Sequence, residues 1–280
     1  MATKSKGPGA DSWKRLRLTA ADQSFSLAAI DPAAKPLSSG SKKHDRERVE
    51  ELALELDDLQ NILYADRRYK LLIVLQGIDT SGKDGTLRAL FSRTTPLGVR
   101  TVGWKAPTET ERSHDFLWRI HKEVPSSGEI VAFNRSHYED VLVPVVKGAI
   151  DDAEAGRRYA QINDFERMLA EHRTVILKFM LHISGDEQRE RLQARIDDPT
   201  KRWKFRQGDL DDREHWDDFQ RAYEQAMAAT STPCAPWIVV PADSKTHRNI
   251  MIALAIRSAL QSLDLRYPDD DPAITSLKVQ

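Results

Sequence analysis

Cysteine is nearly absent. Cys234 stands alone in 280 residues, which excludes an intramolecular disulfide and fits a reducing compartment. Long apolar runs are missing too. None approaches the roughly 18 residues of a membrane span, and "MATKSKGPGADSWKRLRL" has no apolar core of the kind a secretory signal needs. Net charge is also lacking, at −1. The chain as a whole therefore has no pull towards polyanions, and any basic binding surface must be local. That argues against a dedicated nucleic-acid binder. These absences lead us to expect a soluble, cytoplasmic protein. What is present is enough apolar material, 40%, for a sizeable core, and 30% charged residues for a hydrated surface. The length suits an elaborated α/β domain.

Residues 1–42 are rich in Ser, Ala, Lys, Gly and Pro and read as an extended N-terminal arm. Residues 43–280 read as one domain. "RERVEELALELDDLQNILYA", residues 46–65, repeats apolar residues at helical spacing. Short apolar strand candidates follow at Leu71–Gln76, Val99–Trp104, Glu129–Phe133, Val175–His182 and Trp237–Val240. Between them lie helical patterns over 83–93, 113–122, 136–147, 157–172, 185–196, 211–228 and 244–262. Alternating strands and helices predict a parallel sheet sandwiched by helices, an α/β fold.

The stretch "LLIVLQGIDTSGKDGT" has the glycine, four-residue gap, glycine and lysine of a phosphate-binding loop between a strand and a helix. Gly77 and Gly82 allow a tight path that aims backbone N–H groups at one anion. The helix beyond adds its positive end. Lys83 would reach the phosphates as a point charge. The loop's phosphate contacts are expected from Gly77, Thr80, Ser81, Gly82, Asp84, Gly85 and Thr86. Two acids break the usual pattern. Asp84 stands where a magnesium-binding hydroxyl belongs, with Thr86 as a partial replacement. Asp79 lies inside the loop, and two readings stay open: it meets a magnesium ion or orients the nucleophile, or it merely caps the next helix.

"GEIVAFNRSHYEDVLV" runs from strand to helix, with Asn134 and Arg135 at the carboxyl end where ligands sit in open α/β sheets. Arg135 can fork onto a phosphate. Asn134 can hold a metal-bound water without adding charge. The alternative is that this pair caps helix 136–147. In "RLQARIDDPTKRWKFRQGDLDD", Arg191 and Arg195 share a helix face. Lys201, Arg202, Lys204 and Arg206 then alternate with Trp203 and Phe205 in a hairpin-like excursion. Such a basic segment suits a lid over phosphates, a surface that stacks bases, or a solvated charged face.

Together with these stretches, "KAPTETERSHDFLWRIH", "QINDFERML" and "APWIVVPADSKTHRN" resemble the family-2 polyphosphate kinases, in order, from the helix near Arg46 to about residue 260. The resemblance implies a P-loop, thymidylate-kinase-like α/β core with a helical lid at about 197–215. It implies phosphoryl transfer between inorganic polyphosphate and AMP or ADP, with guanine nucleotides as the alternative. Magnesium, or manganese in its place, is the implied cofactor, and Asp79 and Asn134 are its implied ligands. Catalytic roles carry over to Asp79, Lys83, Arg135 and Arg195, and acceptor contacts to Asn134, Arg135 and Glu139. Arg191, Lys201, Arg202, Lys204 and Arg206 form the expected polyphosphate track. Glu139 and Asn134 point to the subgroup that uses AMP as well as ADP. A homo-oligomer is expected, with no membrane or nucleic-acid partner. The rivals are an ATP-dependent nucleoside monophosphate kinase and a non-catalytic polyanion-binding protein.

Overall fold

The computed structural model describes residues 25–269 together with Lys14, Arg17, Leu18 and Leu277. Five strands form one parallel sheet: β1 (Lys70–Gln76), β2 (Val99–Gly103), β3 (Ile130–Asn134), β4 (Thr174–His182) and β5 (Trp237–Pro241). Their order is β2-β3-β1-β4-β5. All five fall where apolar runs place them. β1 is central and buried along almost its whole length, which is why it reads as a continuous apolar run rather than an alternation. β2, at an edge, is only partly covered.

Strand alternation deals the core into two layers. On one face Leu71, Ile73, Leu75, Phe179, Leu181 and Val240 meet helices α1 (Lys42–Asp66), α2 (Lys83–Leu90) and α10 (Lys245–Gln261). On the other, Leu72, Val74, Phe133, Met180 and Val239 meet α5 (Glu139–Val146), α6 (Asp152–Glu171) and α9 (Trp216–Thr230). No helix among the described residues is long and apolar enough to cross a membrane.

Local chemistry sets the helix ends. Side chains of Ser41, Asp151, Ser184 and Ser244 accept the third backbone N–H of α1, α6, α7 (Gly185–Asp197) and α10. Two expected helices differ from their patterns. Of the 113–122 pattern only α4 (Trp118–His121) is helical; a separate short helix, α3 (Glu109–Arg112), held by a Thr108–Glu111 capping box, precedes it. Between them Ser113 Oγ bonds back to Thr110, and Asp115 accepts the Leu117 N–H; such short polar side chains offer the backbone an alternative to helix. The 211–228 pattern becomes α8 (Gly208–Glu214) and α9, parted at His215. The excursion over 197–215 is no hairpin. It is a 3-10 turn at Arg202–Lys204 followed by α8, with Asp198 accepting from Thr200 and Trp203 Nε1 donating to the Thr200 carbonyl.

Much of the arm's first part lies outside the described residues. Where described, its backbone lies against the body of the protein. Leu18 N–H donates to Trp237 O at 2.8 Å on β5, Leu27 is buried, and the Leu27 N–H meets Glu224 at 2.6 Å.

Candidate active site

The sheet changes direction of growth at β1, which lies between β3 and β4. Ligands of open α/β sheets collect outside such strand ends. Two chain segments meet there, the loop Gly77–Gly82 after β1 and the turn Asn134–Glu139 after β3. Both contain a non-glycine residue in the left-handed region, Thr80 and Arg135, each at φ 66°. For a β-branched threonine this is an unusual conformation, of the kind held in place at functional sites.

Lys83 is folded back onto its own loop, donating to Gly77 O at 2.5 Å and Ile78 O at 3.3 Å. Burial lowers its pKa to about 8, and the Arg135 cation adds to the effect. Below that pH the ammonium is charged; above it the phosphate loop loses its cation. The specificity constant for the anionic donor is therefore expected to fall as pH rises through about 8, since this constant reports free-enzyme ionisations. A pH profile of donor kcat/KM checks this, and a flat profile to pH 10 rules it out.

Asp79 does not cap α2. The residue at the cap is Gly82, with no side-chain cap bond. The Asp79 carboxylate instead meets Arg135 Nη2 at 2.6 Å. The same guanidinium reaches Glu139 at 3.3 Å, so one cation joins the loop to the first turn of α5. Glu139 and Asp79 together hold Arg135 firmly as a cation. Burial pushes the Glu139 carboxyl up, with Arg135 and Lys83 opposing it. Asn134 and Arg135 do not cap α5 either, because that helix starts after Tyr138 without a side-chain cap.

Asp84 is held from two directions. Asn134 Nδ2 donates to it at 2.5 Å, and Lys204 comes within 3.0 Å from the turn after α7. Burial pushes its carboxyl up, but these two hydrogen bonds, together with the charges of Lys204 and Lys83, hold it below its ordinary value. Thr86 is buried with its hydroxyl on Gly82 O, so it faces its own helix and does not replace the missing loop hydroxyl. Thr80 Oγ1 is buried with no partner among the described residues, which leaves a donor in the loop for an anion.

Arg191, expected in the polyphosphate track, has a different place. It is buried beneath the loop, with bonds to the carbonyls of Thr80, Ser81, Ala242 and Asp243 and to Glu187. Arg195, one turn on, pairs with Asp209 at 3.5 Å; burial and the nearby Asp79 push the Asp209 carboxyl up. Lys201, Arg202 and Arg206 are exposed, with Lys201 on Asp198 at 2.6 Å and Arg202 Nε on Ile196 O at 2.6 Å. Gly85 opens α2 beside Arg248. Gln188, Asp209 and Arg248 also stand at this site without any local signal in the sequence: Arg248 is in the first turn of α10, beyond the end of β5.

Among the described residues no group of three or more His, Cys, Asp or Glu side chains forms a metal cage. Two carboxylates and an amide oxygen at Asp79, Asp84 and Asn134 still suit a magnesium ion, which keeps waters and is bound through one or two carboxylates plus substrate phosphates.

Residues 39–269 match the family described as Polyphosphate kinase 2. An AMP/ADP-polyphosphate phosphotransferase of Meiothermus ruber is 47% identical over 92% of this chain and 97% of its own. An ADP-polyphosphate phosphotransferase of Rhodopseudomonas palustris is 40% identical over 83% of this chain and 85% of its own. The crystal structure of Polyphosphate Kinase 2 from Arthrobacter aurescens TC1 superposes with a TM-score of 0.89, at 44% identity, covering 94% of both chains.

Proposed function

This chain belongs to the polyphosphate kinase 2 family, and we propose from that premise that it transfers phosphoryl groups reversibly between inorganic polyphosphate and adenine nucleotides, accepting both AMP and ADP. The observation that carries the reading is the Asp79–Arg135–Glu139 chain, in which one guanidinium ties the phosphate loop to the helix after β3. A cation so placed faces the donor's terminal phosphate and the acceptor's phosphate together. A cleft of about 400 Å³ lined by Arg112, His114, Phe116 and Asp140, the residue that follows Glu139 in α5, offers room for the acceptor nucleoside.

An acceptor phosphate oxygen attacks the terminal phosphorus, and the bond to the polymer's bridging oxygen breaks. The polymer leaves one unit shorter, as an anion. The nucleophile is already anionic, so a general base is not needed, and catalysis is positioning and charge neutralisation. Lys83 leaves its loop carbonyls for the donor phosphates, and Arg135 steadies charge on the group in transfer. Arg195 serves the same charge from the end of α7. Asp79, Asp84 and Asn134 would hold magnesium, which when bound neutralises charge between the two phosphate chains. The exposed Lys201, Arg202 and Arg206 guide the polymer, and Lys204 exchanges Asp84 for phosphate as the 197–215 segment closes as a lid. Water exclusion by that closure strengthens every charge contact inside.

Nucleotide analysis of the protein incubated with polyphosphate, magnesium and either AMP or ADP, without ATP, tests the reading. ADP followed by ATP is the expected result. ATP from ADP with AMP untouched would remove the AMP assignment to Glu139 and Asn134. No transfer to either nucleotide would remove the function.

A further inference from the structure

Each carbonyl of the phosphate loop is taken by a donor. Gly77 O and Ile78 O receive Lys83, and Asp79 O receives Gln188 Nε2 at 3.4 Å. Thr80 O receives Arg191 at 2.9 Å, and Ser81 O receives both Arg191 and Arg248 at 3.1 Å. Gly82 O closes the first turn of α2 through the Thr86 N–H. A trans peptide unit sets its C=O and N–H in opposite directions. The Ser81 carbonyl drawn down onto two guanidiniums therefore turns the Gly82 N–H up, into line with the open N–H groups that start α2.

Arg248 is the odd member. It is 2% exposed, and among the described residues no carboxylate pairs with it; its bonds go to Ser81 O and to Asn249 Oδ1 at 3.0–3.1 Å. Gly82 makes room for it, since a Cβ there, at φ 101°, would lie 1.9 Å from Arg248 Nη1. Burial, with Arg191 beside it, lowers the Arg248 pKa to about 9. A buried cation without a counter-acid is costly in the free protein, and an anion arriving above it recovers that cost.

We propose that Arg191 and Arg248 are positioning residues of the phosphate loop: from below they pin the Thr80 and Ser81 carbonyls, aim the Gly82 N–H at the donor phosphate, and supply the positive charge, unbalanced at Arg248, that lets a loop carrying Asp79 and Asp84 hold an anion. The two loop acids are thereby answered from both sides, by Arg135 and Lys204 above and by the two buried arginines beneath. The proposal rests on polyphosphate being the donor.

The test uses the full chain with Arg248→Met and Arg248→Lys. Binding of inorganic tripolyphosphate is measured by calorimetry without nucleotide, beside donor and acceptor KM and the thermal midpoint. For Arg248→Met, tripolyphosphate affinity is expected to drop on the order of tenfold, the size of one lost charged hydrogen bond. Donor KM rises with it, acceptor KM holds, and the phosphate-free midpoint does not fall. Arg248→Lys, which keeps the charge, recovers part of the loss. Wild-type affinity in Arg248→Met overturns the proposal, as does a loss shared equally by donor and acceptor. If the methionine variant does not fold, the lysine variant decides by the same donor-against-acceptor split. Failure of the wild type to bind tripolyphosphate overturns the polyphosphate reading itself, a result distinct from either.

Discussion

Turnover in Asp79→Asn is expected to fall on the order of 10²–10³-fold, the range for losing a transition-state charge partner or shifting a catalytic group by about an ångström. Asparagine keeps the size and a hydrogen bond to Arg135 but drops the charge that meets that guanidinium at 2.6 Å. Arg135 would then lean towards Glu139, away from the loop, and the magnesium we place here would lose a carboxylate. Because Asp79 is on a loop and caps no helix, the thermal midpoint should stay close to wild type. Single-turnover rates with polyphosphate and ADP, beside a melting curve, read both. Near wild-type turnover would take Asp79 out of the mechanism.

The largest effect on stability is expected behind the site. Lys178, in the middle of β4, is fully buried, with Glu166 of α6 at 2.6 Å, Tyr138 Oη at 2.8 Å and Thr230 O at 2.8 Å. Burial would push the Glu166 carboxyl up, but the Lys178 ammonium and His137 hold it below its ordinary value. Lys178→Met leaves that carboxylate in the core without its cation, at an expected cost of about 3–5 kcal/mol. The double variant Lys178→Met with Glu166→Gln should recover much of the loss, because the penalty lies in the orphaned charge rather than in the missing pair. Urea unfolding of the single and double variants measures it. A double variant as weak as the single one would show that Lys178 matters by packing alone. Tyr138 and His137 follow Arg135 by only a few residues and both touch Glu166. Loosening this network is therefore expected to lower turnover as well.

The five strands are legible in the sequence, because burial on both faces leaves a run of apolar residues that few other environments tolerate. Gly77, Gly82 and Lys83 were legible because close backbone approach and one point charge permit few residue types. Helix interruptions were not. Whether Ser113, Asp115 and His215 let a helix run on depends on competition between local hydrogen bonds and packing, which a periodicity does not weigh. The spacing of Arg191 and Arg195 placed them on one helix face correctly, but what that face meets was beyond it. One arginine went beneath the loop, the other to Asp209.

The α/β architecture, the phosphate loop and the strand-end arginine are each written in residues close together in the chain, and the family in a series of such stretches along most of it. Tertiary structure alone decided the charge partners. Asp79 met Arg135, Asp84 met Asn134 and Lys204, Glu166 met Lys178, and Arg191 and Arg248 converged on Ser81. The physical reason is that a charge interacts with whatever the fold brings within a few ångströms, through a dielectric that the fold also sets. Neither that distance nor that burial has a period along the chain.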